Sequence, residues 1–162
     1  MNHVEFQGDK YPLLQTNGNA SRFAIPFAKE FCEGNGLDIG CNRPDWAFPG
    51  SLPIDLEFED KYDAFNLPNG KFDYIFSSHC LEHLPDWVGA LEYWFEHLKD
   101  GGVCFLYLPH YSQQYWRPWN NRKHIHCLLP EFLRDYFNDR GYENFVTEGW
   151  DLNNSFYAVA YK

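Results

Sequence analysis

The sequence predicts an α/β fold: a mixed, mostly parallel sheet with helices on its faces. Three observations predict it. Apolar strand patterns alternate with helical ones through the middle of the chain. A D-I-G-C-N turn follows the first of those strands, where a doubly wound sheet offers its binding crevice. Finally, the last two strand patterns lie too close in sequence for a parallel crossover, so they must pair antiparallel.

The elements follow in order. Residues 21–33 carry Phe23, Phe27 and Phe31 at helical spacing, with Pro26 placed to shorten the helix. Residues 36–41 (GLDIGC) read as a short buried strand, residues 52–56 (LPIDL) as a second and residues 62–65 as a very short third. The links between these three are too short for full crossover helices. Residues 72–78 (FDYIFSS) form a clearer strand. Residues 87–99 form a helix with Trp87, Leu91, Trp94 and Leu98 on one face. Gly101 and Gly102 end that helix before a strand at residues 103–108. Pro130 then opens a helix whose Phe132, Leu133, Tyr136 and Phe137 make an apolar side. Residues 144–150 and 155–161 close the chain as hairpin partners.

At 162 residues and 44% apolar content, residues 1–162 read as one domain. The net charge of -10 disfavours a nucleic-acid partner, which needs a basic stripe. No apolar run is long enough to cross a bilayer and no signal core opens the chain, so the expectation is a cytoplasmic protein with no membrane partner. The five cysteines form no C-x-x-C pair, which suggests reduced thiols. Nothing in the sequence sets an oligomeric state.

Gly40 lets a ligand approach the backbone beside Asp38, although the later glycines of a G-x-G-x-x-G loop are replaced by Asn42, Arg43 and Pro44. Asp55 ends the second strand where a carboxylate can accept both hydroxyl protons of a ribose, its alternative being a solvated acid among Glu57, Glu59 and Asp60. Asp63, followed by Ala64, is placed to accept from an exocyclic amine, or is a surface acid.

Taken together, LDIGC, PIDLE, YDAFNLPNGKFDYIFSSHCLEHLPD and HLKDGGVCFLYLPH resemble the small-molecule (type 11-like) family of class I S-adenosylmethionine-dependent methyltransferases. The resemblance runs from about residue 36 to 110 and, through HIHCLLPEFLRDYFNDRGYENF, to about 146. It implies a Rossmann-like, seven-stranded sheet, mostly parallel with the last strand antiparallel, in a compact variant whose early helices are trimmed. It further implies S-adenosylmethionine as cofactor, with Asp38 and Gly40 near its methionine part, Asp55 on its ribose, and Cys41 and Leu56 also among the cofactor-binding residues. Asp63 and Ala64 would then meet the adenine, and Ser78 would lie near the sulfonium end.

His79, Glu82 and His83 also spell H-x-x-E-H, which on a helix presents two zinc ligands. Pro85 follows too soon for that helix and no motif supplies a further acidic ligand, so no metal is expected. Between residues 101 and 130 there is no acid, and aromatic and basic residues interleave. That stretch reads as a substrate lid, with Trp116 and Trp119 for stacking and Arg117, Arg122 and Lys123 for a carboxylate or phosphate. The alternative is a loop packed on the sheet edge with solvated cations. His79, His110 and His124 are the candidate bases for a hydroxyl acceptor, or are structural. The expectation is therefore in-line methyl transfer to a small, anionic substrate. The competing expectation, motivated by the altered glycine loop, is a noncatalytic module that keeps the fold.

Overall fold

The computed structural model describes residues 2–59 and 61–162. It opens on a hairpin that sequence patterning missed, β1 (His3–Phe6) and β2 (Asp9–Pro12), paired antiparallel. Gln7 and Gly8 join the strands with φ of 50° and 88°, the two left-handed residues a tight hairpin turn requires. A single turn of helix, α1 (Leu13–Thr16), follows directly.

Helix α2 (Ser21–Ala28) is shorter than residues 21–33 suggest, and its buried face is not the phenylalanine face. Ser21, Ala24 and Ala28 are buried, while Phe27 is 40% exposed. Small residues point inward because the sheet beneath already presents Tyr74, Phe76 and Phe105. Phe23 and Phe31 pack at the rim.

The main sheet is built from β3 (Gly36–Ile39), β4 (Leu52–Ile54), β5 (Phe72–Ser78), β6 (Leu98–Pro109), β7 (Glu143–Val146) and β8 (Ser155–Tyr161). Their order is β4-β3-β5-β6-β8-β7, with β3, β4, β5 and β6 parallel. β8 runs antiparallel to both neighbours, which gives the mixed sheet the sequence predicts. The described sheet has six strands. Residues 62–65 contribute an isolated bridge between Asp63 and Asn66 in place of a strand, because that segment folds back on itself. The β3-to-β4 link holds only a 3-10 turn at Pro44–Trp46, so the trimmed crossover is real.

Helices α3 (Trp87–His97) and α4 (Pro130–Asp139) cover the face opposite α2. Asp86 caps α3 by accepting from Gly89 N at 2.8 Å. α3 buries Ala90, Leu91, Trp94 and Phe95, and ends before Leu98, which enters β6. α4 buries Pro130, Leu133, Tyr136 and Phe137, whereas Phe132 turns outward at 49% exposure. Along β6 the side chains alternate. Cys104, Leu106 and Leu108 pack under α3 and α4, and Val103, Phe105 and Tyr107 face α2. Among the described residues, no helix is long and apolar enough to cross a membrane.

Candidate functional site

The chain adds β4 on one side of β3 and then β5 on the other, so the strand order reverses at β3. In an open α/β sheet that reversal leaves a crevice at the carboxyl ends of the strands. A cleft of about 920 Å³ lies there. Gly40, Asp55, Leu56, Asp63, Ala64, His79, Trp116, Lys123 and His124, all singled out from the sequence, line it.

Gly40 follows β3 at φ 80°, and a Cβ there would run into Cys80. Asp55 follows β4 directly. Its carboxylate accepts from Asn42 N at 2.8 Å and from Glu57 N at 3.2 Å, which fixes both flanking loops. Asp63 accepts from Phe65 N at 2.7 Å, and the next carbonyl, that of Ala64, accepts from the buried Trp94 indole at 2.7 Å. Helix α3 thereby pins the Asp63–Ala64 corner of the cleft.

His79 follows β5 at φ 49°, a left-handed conformation costly for a residue with a side chain. Its N–H donates to Tyr107 O at 2.8 Å. The Gln15 amide donates to Ser155 Oγ at 2.6 Å, and His79 Nε2 lies 2.9 Å from that hydroxyl and 3.1 Å from the amide. Nε2 therefore accepts and Nδ1 carries the proton, facing Glu82 at 3.8 Å. Burial holds the His79 imidazole well below its ordinary pKa, and neighbouring His124 and His83 add to the effect. Burial likewise pushes His124 down to about 3 and Glu82 up to about 7.

Several residues expected at the cofactor do not line the cleft. Asp38 is 1% exposed and turns beneath the floor, where it accepts from Phe48 N at 2.7 Å and closes the loop between β3 and β4. Burial raises its carboxyl to about 7, only partly offset by that hydrogen bond. Cys41 and Ser78 are buried as well, Cys41 with its N–H turned to Ile54 O and Ser78 inside β5. His110 leaves β6 on the β8 side. There its ring meets Ser112, Trp150 and Phe156, away from the cleft.

The aromatic and basic loop divides. Trp116 is 4% exposed, with its ring stacked on His124 at 5.4 Å, so it is a wall and not a free stacking surface. Arg117 is spent on its own loop, donating to Tyr111 O and Ser112 O beneath Tyr111 and Trp119. Trp119 and Arg122 are exposed and do not line the cleft. Lys123 does.

Sequence reasoning missed Gln15 to Gly18, which also line the cleft, whereas Asn42 of the altered glycine loop and His83 of the H-x-x-E-H string line it too, with Glu82 behind. The N-terminal segment is seated by Tyr11, whose hydroxyl accepts from Tyr115 N at 3.3 Å, and by Gly18, where a Cβ would lie 2.7 Å from Asn42 Nδ2. The signal for it was the Gln7–Gly8 pair between two short strands.

A family model described as a methyltransferase domain matches residues 17–146. No curated protein matches at a significant level. Among solved structures, a SAM-dependent methyltransferase from Archaeoglobus fulgidus is 17% identical with a TM-score of 0.63, the match covering 91% of this chain and 94% of that one. A SAM-dependent methyltransferase from Thermotoga maritima, a possible histamine N-methyltransferase, is 17% identical with a TM-score of 0.66 and 92% coverage of each chain. The N-methyltransferase NodS from Bradyrhizobium japonicum, in complex with S-adenosyl-L-homocysteine, is 15% identical with a TM-score of 0.60, covering 95% of this chain and 89% of that one.

Proposed function

The chain belongs to the methyltransferase domain family, and from that premise we propose that it transfers a methyl group from S-adenosylmethionine to a small, anionic acceptor held in the cleft. The observation that carries the reading is the convergence of Gly40, from the β3-to-β4 connection, with Asp55 and the Asp63–Ala64 corner, from the β4-to-β5 connection, on one crevice.

The residues present fit the cofactor. The cleft is of a size that takes a small molecule with a partner beside it. Asp55 supplies a carboxylate already oriented by two backbone amides, suited to a ribose diol. Leu56 is 74% exposed at the cleft, an apolar side chain left for a flat ring, and Asp63 next to it suits an exocyclic amine. Gly40 admits the chain of an amino acid against the backbone.

When bound, S-adenosylmethionine supplies a methyl group activated on a sulfonium. Transfer to the acceptor's lone pair would leave the carbon–sulfur electron pair on sulfur, with Gly40, Asp55 and the Asp63–Ala64 corner holding the cofactor. The protein's part is to hold the reacting atoms in line and exclude water. Trp116, His79 and His124 form an aromatic wall suited to that exclusion, and Gln15 locks it by tying His79 to Ser155. Among the described lining residues, Lys123 is the one permanent cation, set against Asp55 and Asp63, the two carboxylates assigned to the cofactor, so it is the group that would pair with an anionic acceptor.

The test is turnover. Protein incubated with methyl-labelled cofactor and a panel of small carboxylates, phosphates and phenols should form S-adenosylhomocysteine in proportion to one acceptor, over many cycles. Labelled product below one equivalent of protein with every acceptor would count against the reading and for a noncatalytic module.

A further inference from the structure

Glu82 lies in the 3-10 turn Leu81–His83 after β5, 1% exposed, and both of its carboxylate oxygens are buried without a hydrogen-bond partner. Burying a carboxylate in that state is costly, and proteins offset the cost by protonating it, by pairing it or by binding a cation. Around Oε1 lie His83 Nε2 at 3.7 Å and His124 Nε2 at 3.8 Å. The three donor atoms fall within 4.8 Å of one another, so small rotations of the rings bring them to the spacing of ligands around one ion.

The surroundings aim these groups. His83 Nδ1 donates to Lys123 O at 2.5 Å, which leaves the Nε2 lone pair directed at Glu82. Ile125 N and His126 N both donate to Glu82 O at 3.1 Å, clamping the loop that carries His124 over the turn that carries Glu82. His79, His83 and His124 all line the cleft, so a position left open on the ion faces the space assigned to the acceptor.

We propose that Glu82, His83 and His124 form a binding site for a divalent transition-metal ion of the zinc class, with its open coordination position directed into the cleft to take an oxygen of the acceptor. Two imidazoles and one carboxylate suit such an ion, and three protein ligands leave room for a further one. The site replaces the sequence expectation of no metal. It arises because His124, remote in sequence, completes what His83 and Glu82 begin. The ligand set stands on its own geometry; only its role toward the acceptor rests on the methyl-transfer reading.

The test uses the full chain, freed of metal by a chelator and dialysed, then titrated with Co²⁺ alone while its visible absorption is followed. One equivalent should bind saturably, with the ligand-field bands of a four- or five-coordinate ion. Glu82→Gln and His83→Ala should each weaken binding by at least about tenfold, while His97→Ala should bind as the parent does. Far-ultraviolet circular dichroism of the same preparations shows whether the variants are folded, and calorimetry with S-adenosylhomocysteine reads the cofactor site separately. If Glu82→Gln does not fold, the more exposed His83→Ala decides alone. Absence of saturable bands, or parent-like binding by His83→Ala, overturns the site. Cofactor binding without cobalt binding sinks the metal site and leaves the methyl-transfer reading standing, and the reverse result does the opposite.

Discussion

Gly40→Ala is the substitution whose cost can be worked most directly from the structure. The residue sits at φ 80°, where a side chain costs roughly 1–2 kcal/mol. The new Cβ would also meet Cys80, with Sγ and Cβ both inside contact distance and Cβ at 2.5 Å, against an ordinary carbon separation of about 3.5–4.0 Å. Overpacking of that kind costs about 1–3 kcal/mol. Together the two effects predict a loss of about 2–5 kcal/mol, which urea unfolding at fixed pH will read as a lowered midpoint with the slope unchanged. The partition is testable. Cys80→Ala removes Sγ but leaves the Cβ, so the Gly40→Ala/Cys80→Ala double variant should recover little. Measured against the Cys80→Gly single variant, in which both atoms are gone, Gly40→Ala should cost the backbone strain alone, about 1–2 kcal/mol. A single variant within about 0.5 kcal/mol of the parent, or equal rescue by alanine and glycine at residue 80, would refute the reasoning.

Asp38 should make stability depend on pH. Its folded-state pKa of about 7 lies above its ordinary value of 3.8, so the fold favours the protonated form. The stabilisation is therefore complete below about pH 4 and is lost as pH rises through about 7, an effect on the order of 4 kcal/mol. Asp38→Asn keeps an acceptor for Phe48 N and cannot ionise. Its unfolding free energy, measured against the parent's across that range, should gain steadily with pH; a constant difference would contradict the assignment. Trp94→Phe removes the indole donor to Ala64 O and leaves a small void in a fully buried site. It should cost about 2–3 kcal/mol in thermal or urea unfolding. It should also loosen the Asp63–Ala64 corner, read as weaker S-adenosylhomocysteine binding by calorimetry, whereas a stability loss with unchanged affinity would detach that corner from the cofactor.

What was legible in the sequence followed the strength of local pattern. β5 and β8 sit where continuous apolar runs bounded by polar punctuation placed them, and the hairpin of β7 with β8 followed from the shortness of its loop. The face of α2 was misread because spacing alone cannot tell phenylalanines that rim a core from alanines that pack tightly onto aromatic strands. The β1–β2 hairpin escaped because two four-residue strands offer too few alternations to register against the background. In the cleft, residues that end strands, such as Asp55 and His79, were recoverable, since strand ends are fixed by pattern. Asp38 has the same signature, but its carboxylate is drawn under the loop by Phe48 N, a contact set by a turn that sequence does not specify. Arg117 and Trp119 were drawn in by composition, yet each finds its partners inside its own loop. Glu82 with His124 lay beyond reach because only the fold brings the two segments together.

The central claim is that Asp55 and its neighbours hold the nucleoside of S-adenosylmethionine in the cleft beside Gly40. Isothermal calorimetry of the parent and Asp55→Ala with S-adenosylhomocysteine tests it most directly. Loss of charge-assisted hydrogen bonds to a ribose predicts affinity lower by about 1.5–3 kcal/mol, roughly 10- to 150-fold, against saturable one-to-one binding by the parent. Saturable binding that Asp55→Ala leaves unchanged, or no binding by the folded parent, would contradict it.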